Sequence, residues 1–181
     1  MNTIVKPKPW LTVLHVICWV IFIGLCIKTG AIIYSALVSV AFNKIAARDL
    51  YMGLDLSNLL SFSKQHYIRL LSFIVFLGVL KAYIFYLGIR IFLKINLQHP
   101  FSKEVSTLIS GISYCSLSIG IITILTGSYK GWLSKRGVDF PDMQDFIGGG
   151  VEFLMLGGMI FMIAEIFKRG IEIQSENELT V

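Results

Sequence analysis

The feature that most constrains this chain is a long apolar run at residues 74–88, IVFLGVLKAYIFYLG, with one charge in it at Lys81. Three further apolar runs have comparable length. A bilayer core of about 30 Å needs about 20 apolar residues per helical crossing. The 181 residues are 55% hydrophobic and 15% charged, whereas soluble domains have about 25% charged residues. The sequence therefore predicts an all-α integral membrane protein.

The runs predict four membrane helices, at about residues 10–41, 67–93, 103–127 and 145–168, in a single domain over residues 1–181. We expect the first helix to cross by about Gly30 and to project beyond the membrane. Ser102 is the expected N-cap of the third helix. The long connections are expected to be polar, and residues 169–181 to form a cytoplasmic C-terminal tail. Four crossings make a transmembrane four-helix bundle with both termini on the same side. The number of lysine plus arginine residues is the same at its two ends, so the positive-inside rule does not show which end is cytoplasmic.

Lys81 raises the question of its partner, because a charge in hydrocarbon usually faces another helix and pairs there. Helix rise places Lys81 roughly 18 Å, Glu152 roughly 24 Å and Lys28 roughly 25 Å from the end that carries the termini. We predict that Glu152 pairs with one or both lysines. The same arithmetic predicts a second pair, Arg90 with Glu165. These charges serve either an ion path or ligand site, or a structural ion pair that fixes helix order.

The third helix carries a stripe of small residues spaced three or four apart, which places them on one face. Such a face lets membrane helices pack closely and form interhelical hydrogen bonds. A polar substrate lining is the alternative use. The members of the stripe are Ser106, Ser110, Ser113, Ser116, Gly120, Thr123 and Gly127. The fourth helix has a similar series in Gly150, Gly157 and Ala164.

Other chemistry finds little support in the sequence. His15 and Cys18 have the i, i+3 spacing of a ligand pair, but no second histidine lies inside an apolar run. No catalytic constellation and no nucleic-acid motif is visible. We predict a non-enzymatic protein without metal or cofactor, surrounded by the lipid bilayer and without direct contact to nucleic acid.

Two stretches resemble a known family: the segment His99-Pro100-Phe101-Ser102-Lys103-Glu104, and the run AEIFKRGIEIQSENELTV at residues 164–181. Together with four helices in this length, they resemble the bacterial membrane family catalogued as domain of unknown function two-nine-seven-five. The resemblance implies a multi-pass protein of the bacterial inner membrane with cytoplasmic termini. It also implies a link to small helix-turn-helix regulators, beside which members are often encoded. Glu165 matches the family pattern.

Two functional hypotheses follow. In the first, the protein is a regulator or anchor that holds a cytoplasmic partner, such as a helix-turn-helix regulator, through the Pro100 link and the tail. The residues of the tail that would contact this partner are Lys168, Arg169, Ile171, Ile173, Leu179 and Val181. In the second, it is a small transporter, channel or efflux subunit that uses Lys28, Lys81 and Glu152 within a homo-oligomer.

Overall fold

The computed structural model describes residues 9–41, 44–95 and 101–178. Within these ranges the chain forms helices and turns and no strand. The long helices are α1 (Pro9–Ala41), α3 (Lys64–Lys94), α4 (Lys103–Ser134) and α6 (Gly150–Glu178). A 3-10 helix (Lys44–Arg48) and two short helices, α2 (Ser57–Phe62) and α5 (Gln144–Ile147), lie in the connections. The long helices are long and apolar enough to cross a membrane, so the predicted fold class is confirmed.

Each long helix packs against its neighbours in a simple order. α3 packs against α1 and against α4, and α4 packs against α6. The contacts show that the pairs are antiparallel: Cys18 approaches Gly88 while Thr29 approaches Gly78. Similarly, Gly157 contacts Leu117 on α4, and Gly170 contacts Phe101 just before α4. The start of α1 and the end of α6 therefore lie at the same end of the bundle, which we call the terminal end.

The opposite end, the cap end, is covered by the two long connections. These were expected to be polar links, but residues 44–63 and 135–149 fold into a cap with its own buried side chains. The tight turn at Met52 and Gly53, both with positive φ, brings the 3-10 helix and α2 together, and the Leu56 amide donates to the Ala47 carbonyl at 2.9 Å. The cap side chains with the least exposure are Ala47, Leu50, Leu54, Leu56, Leu59 and Met143. Each fully buried leucine contributes about 2 kcal/mol, so this cluster favours the ordered form of the connections.

The cap also receives the ends of the long helices. Beyond Gly30, α1 carries Ile32 and Ser39, and both are buried. The Ser39 hydroxyl shares a 2.6 Å hydrogen bond with the Tyr67 hydroxyl, and Tyr67 is fully buried. The part of α1 expected to project beyond the membrane thus packs against the cap.

The helix boundaries differ from the sequence-based ones at the end of α4 and at both ends of α6. α4 continues past Gly127 to Ser134, because Tyr129 and Trp132 stack on each other and the Tyr129 hydroxyl bonds to His66 at 2.6 Å. The fourth membrane helix begins at Gly150 instead of 145, after Gly149 with φ of +80° turns the chain. α6 then continues through residues 169–178, which were expected to be a tail. The prediction of Ser102 as N-cap of α4 is confirmed, since its hydroxyl accepts from the Val105 amide at 3.3 Å.

Candidate functional site

Lys28 of α1 and Lys81 of α3 line one cavity of about 180 Å³ at the base of the cap. The Lys28 ammonium donates to the Asp145 carbonyl of α5 at 3.0 Å and lies 4.3 Å from the centre of the Phe146 ring. The Lys81 ammonium lies 5.5 Å from the centre of the Phe153 ring. The sequence placed Lys81 roughly 7 Å below Lys28 along the helix axis, and the long side chains of the two residues bring them to one cavity.

A close helix crossing forms one wall of the cavity. A Cβ added to Gly78 of α3 would lie 2.5 Å from the Thr29 hydroxyl of α1. Only glycine allows this approach, and Thr29 and Gly78 both line the cavity. Lys28 precedes Thr29 by one residue, and Lys81 follows Gly78 by about one helical turn. The crossing therefore brings the two lysines close together on adjoining helices.

The predicted partner Glu152 does not pair with either lysine. Glu152 is exposed in the first turn of α6, and among the described residues it forms no ion pair. The reason is rotation about the helix axis. Consecutive helical residues point about 100° apart, and it is the next residue, Phe153, that meets Lys81. The depth estimate placed Glu152 near the level of the lysines, but depth along a helix does not show in which direction the Glu152 side chain points.

The second predicted pair, Arg90 with Glu165, is also not formed. Glu165 pairs with Lys168 on its own helix. Arg90 is exposed and forms no ion pair in the described part of the chain. Both helices pack against α4, so equal depth on α3 and α6 does not bring these side chains together.

An ion pair that sequence reasoning missed joins Lys94 at the end of α3 to Glu104 in the first turn of α4, at 3.1 Å. The signal for it was present in the sequence. A cation in the last turn of one helix and an anion in the first turn of the next each complement the helix dipole. The pair sits at the terminal end and connects the two helices across their short link.

The small-residue stripe of α4 is largely an interface with α6. Ser113 is fully buried and donates its hydroxyl to the Gly157 carbonyl at 2.9 Å. A Cβ on Gly120 would lie 2.6 Å from Leu154, and a Cβ on Gly157 would lie 2.8 Å from the Leu117 backbone nitrogen. Three other stripe hydroxyls, those of Ser110, Ser116 and Thr123, are buried and find no hydrogen-bond partner among the described residues. Ser106 is buried, while Gly127 is exposed, and a Cβ added there would meet no described atom of another element within 4 Å.

These details favour the packing use of the stripe over a polar lining. The glycines permit contact distances that a side chain would prevent. Within the described residues, Ser113 is the residue of the stripe whose side chain forms a hydrogen bond to another helix.

The residues proposed to contact a partner lie at the projecting end of α6. Lys168 and Arg169 form i, i+3 ion pairs with Glu165 and Glu172. Ile171 is half-buried, and Ile173 is 50% exposed. Leu179 and Val181, which belong to the same prediction, lie outside the described residues, as does Pro100.

His15 and Cys18, the pair considered for metal binding, face α3. His15 accepts a hydrogen bond from the Trp19 indole at 3.0 Å and stacks on Phe92 at 5.7 Å. Cys18 lies 4.0 Å from the position of a Cβ on Gly88. These contacts indicate that both side chains pack against α3.

Comparison with known proteins identifies the family. Its model, described as a protein of unknown function (DUF2975), matches residues 61–181. The chain belongs to this family. The match includes Lys81, α4 and α6, whereas α1 with Lys28 precedes it. The comparisons with curated proteins and with solved structures each give no match.

Proposed function

We propose that this DUF2975 protein is a non-enzymatic regulator or anchor in the bacterial inner membrane, and that it holds a cytoplasmic protein through the C-terminal end of α6. One observation carries the proposal. α6 continues as a helix to Glu178, well past Gly170, where it meets Phe101 just before the start of α4. The segment after Gly170, which we call the terminal helix, therefore projects beyond α4.

The terminal helix has the surface of a docking element. Two i, i+3 ion pairs, Lys168 with Glu165 and Arg169 with Glu172, lie just before the terminal helix and at its start. Such pairs stabilise an exposed helix by about 0.2–0.5 kcal/mol each. Ile173 leaves half of its surface exposed, and it follows Glu172 in the chain. An apolar side chain among carboxylates on a preformed helix is typical of helix-in-groove recognition.

The partner in this proposal is a small helix-turn-helix regulator. Proteins that bind DNA carry basic surfaces, which complement Glu172 and Glu176 on the terminal helix. The resemblance to a family that is often encoded beside such regulators points to the same partner. The terminal end then faces the cytoplasm and the cap faces the other side of the membrane.

A pull-down from native membranes in mild detergent tests the proposal. The intact protein is compared with a variant that ends at Gly170, which keeps the Gly170–Phe101 contact, and with the point variant Ile173→Glu. A matched control is Met52→Glu, because Met52 is 82% exposed at the opposite end, in the cap. We expect mass spectrometry to find a helix-turn-helix protein with the intact chain and with Met52→Glu, and to find it lost with the other two. Equal recovery from all four proteins contradicts the proposal.

A second candidate function is a small transporter, channel or efflux subunit. The observation that favours it is the cavity shared by Lys28 and Lys81 within membrane-length helices. Ion flux into liposomes would be lost in this case on replacing both lysines by methionine, and it would survive truncation at Gly170. The regulator proposal predicts the reverse sensitivity for partner binding.

A further inference from the structure

The cavity at Lys28 and Lys81 has more hydrogen-bond donors than the protein uses. An ammonium group carries three N–H donors. Lys28 uses one of them, on the Asp145 carbonyl. Lys81 faces the Phe153 ring at 5.5 Å and forms no hydrogen bond within the described residues. The carboxylate of Asp145 is nearby but forms no ion pair with either lysine.

The other residues that line the cavity raise the free-energy cost of holding these two charges there. Leu25, Ile32, Ile74 and Phe146 form apolar walls around the two ammonium groups. Two like charges that share an apolar wall repel each other and lack the hydration that they have in water. A membrane-spanning chain that brings two lysines to one cavity therefore gains stability from any anion that binds between them.

The depth of the cavity in the membrane indicates which anions lie near it. At 1.5 Å per residue, Lys28 lies roughly 29 Å along α1 from Pro9. That distance is close to the thickness of the hydrocarbon core, about 30 Å. Lys28 thus reaches the level of the lipid headgroups at the cap end. From deeper on α3, Lys81 extends its long side chain toward the same level, as membrane lysines do.

The size of the cavity also suits a small oxyanion. Its volume of about 180 Å³ corresponds to about six water molecules at ~30 Å³ each. The Thr29 hydroxyl lines the same space and adds a neutral donor.

We propose that the Lys28–Lys81 cavity binds a phosphate-type oxyanion, either the phosphodiester of a lipid headgroup or free phosphate. Both ammonium groups donate charge-assisted hydrogen bonds to it. The Asp145 carboxylate, at the rim, opposes binding. The inference does not depend on the terminal helix, and it defines the ligand class for the second candidate function.

The test measures thermal stabilisation of the full-length protein in a neutral detergent. The probes are inorganic phosphate, short-chain phosphatidylglycerol and, as an uncharged control, short-chain diacylglycerol. A ligand that binds only the folded state raises the melting temperature in a saturable way. Stabilisation by phosphatidylglycerol alone identifies a lipid headgroup as the source, and stabilisation by phosphate identifies the free anion. A response to neither, or an equal response to diacylglycerol, overturns the proposal.

Variants locate the response in the cavity. The double variant Lys28→Met and Lys81→Met should lose it, and we expect the variant to fold because methionine replaces a half-buried charge with an apolar chain of similar length. The matched control is Lys64→Met with Lys135→Met, which removes the same charge from exposed positions near the cap end. If both doubles lose the response alike, general electrostatic attraction explains it and the site is disproved.

Asp145→Asn distinguishes an anion site from a self-neutralised cluster. If an external anion occupies the cavity, removal of this carboxylate tightens binding about fivefold, as expected for a like charge several ångströms away. If Asp145 is itself the counter-ion, the variant lowers the melting temperature without ligand and leaves affinity unchanged, which contradicts the proposal. The chain that ends at Gly170 should respond like the intact protein, so failure here is separable from failure of the docking proposal.

Discussion

The hydroxyl of Ser113 donates a hydrogen bond to the carbonyl of Gly157, 2.9 Å away on the neighbouring helix. The bond is possible because α4 and α6 approach closely at Gly157, where an added Cβ would meet the Leu117 backbone nitrogen at 2.8 Å. Backbone cannot move aside as a flexible side chain can. This contact and the one at Gly120, where an added Cβ would meet the Gly150 carbonyl oxygen at 2.8 Å, restrict how the two helices pack.

Gly157→Ala should therefore destabilise the protein, by about 1–3 kcal/mol as for other overpacked sites. Unfolding in mixed micelles with increasing denaturing detergent measures the change. Gly158→Ala is the matched control, since a Cβ there meets no atom within 4 Å. Equal unfolding of the two variants would show that the α4–α6 packing is not as described.

The geometry of Lys81 predicts that it is energetically independent of Glu152. The single changes Lys81→Met and Glu152→Gln and their combination form a double-mutant cycle. Because Phe153, and not Glu152, faces Lys81, the effects on unfolding free energy should add to within about 0.5 kcal/mol. A coupling well above that value would mean that the two charges pair in the membrane.

The bond between Ser39 and Tyr67 ties α1 to α3 beneath the cap. Tyr67→Phe removes the buried hydroxyl and should reduce the unfolding free energy by about 1 kcal/mol, because the Ser39 hydroxyl keeps its 2.7 Å bond to the Ala36 carbonyl. Tyr83→Phe is the control, since Tyr83 is exposed on the same helix. An equal loss of unfolding free energy in Tyr83→Phe would show that the buried Tyr67 hydroxyl contributes no more than an exposed one.

The proposed orientation can be tested by cysteine labelling in intact cells. With Cys18, Cys26 and Cys115 replaced by serine, Met52→Cys marks the cap and Ser175→Cys marks the terminal helix; both positions are exposed. A membrane-impermeant maleimide should label position 52 in intact cells and position 175 only after lysis. The opposite pattern would place the terminal helix outside the cytoplasm and exclude a cytoplasmic partner.

The sequence predicted those features of the fold that follow from periodicity and composition. Apolar runs determined the four long helices, the small-residue spacing determined the α4 face that meets α6, and local capping identified Ser102. Each of these depends on residues that are near one another in the chain.

The features that the sequence did not predict depend on how the helices rotate and on long-range packing. Counting residues placed Glu152 level with Lys28 and within side-chain reach of Lys81, but it could not show that Phe153 instead of Glu152 faces Lys81. The cap was missed because Leu50, Leu54 and Leu56 stand among polar residues in the chain and become a core only when both connections fold together. Asp145 was read as the start of a helix, whereas it lies in α5 beside Lys28.

The most direct test of the central claim is photo-crosslinking in native membranes from Ile173 of the terminal helix. A photoreactive phenylalanine analogue replaces Ile173 in one protein and Met159 in a control. Met159 is 55% exposed on the same helix face but lies within the membrane-length run. We expect a protein adduct that contains a helix-turn-helix protein from position 173 alone. No adduct from position 173, or the same protein adduct from both positions, would contradict it.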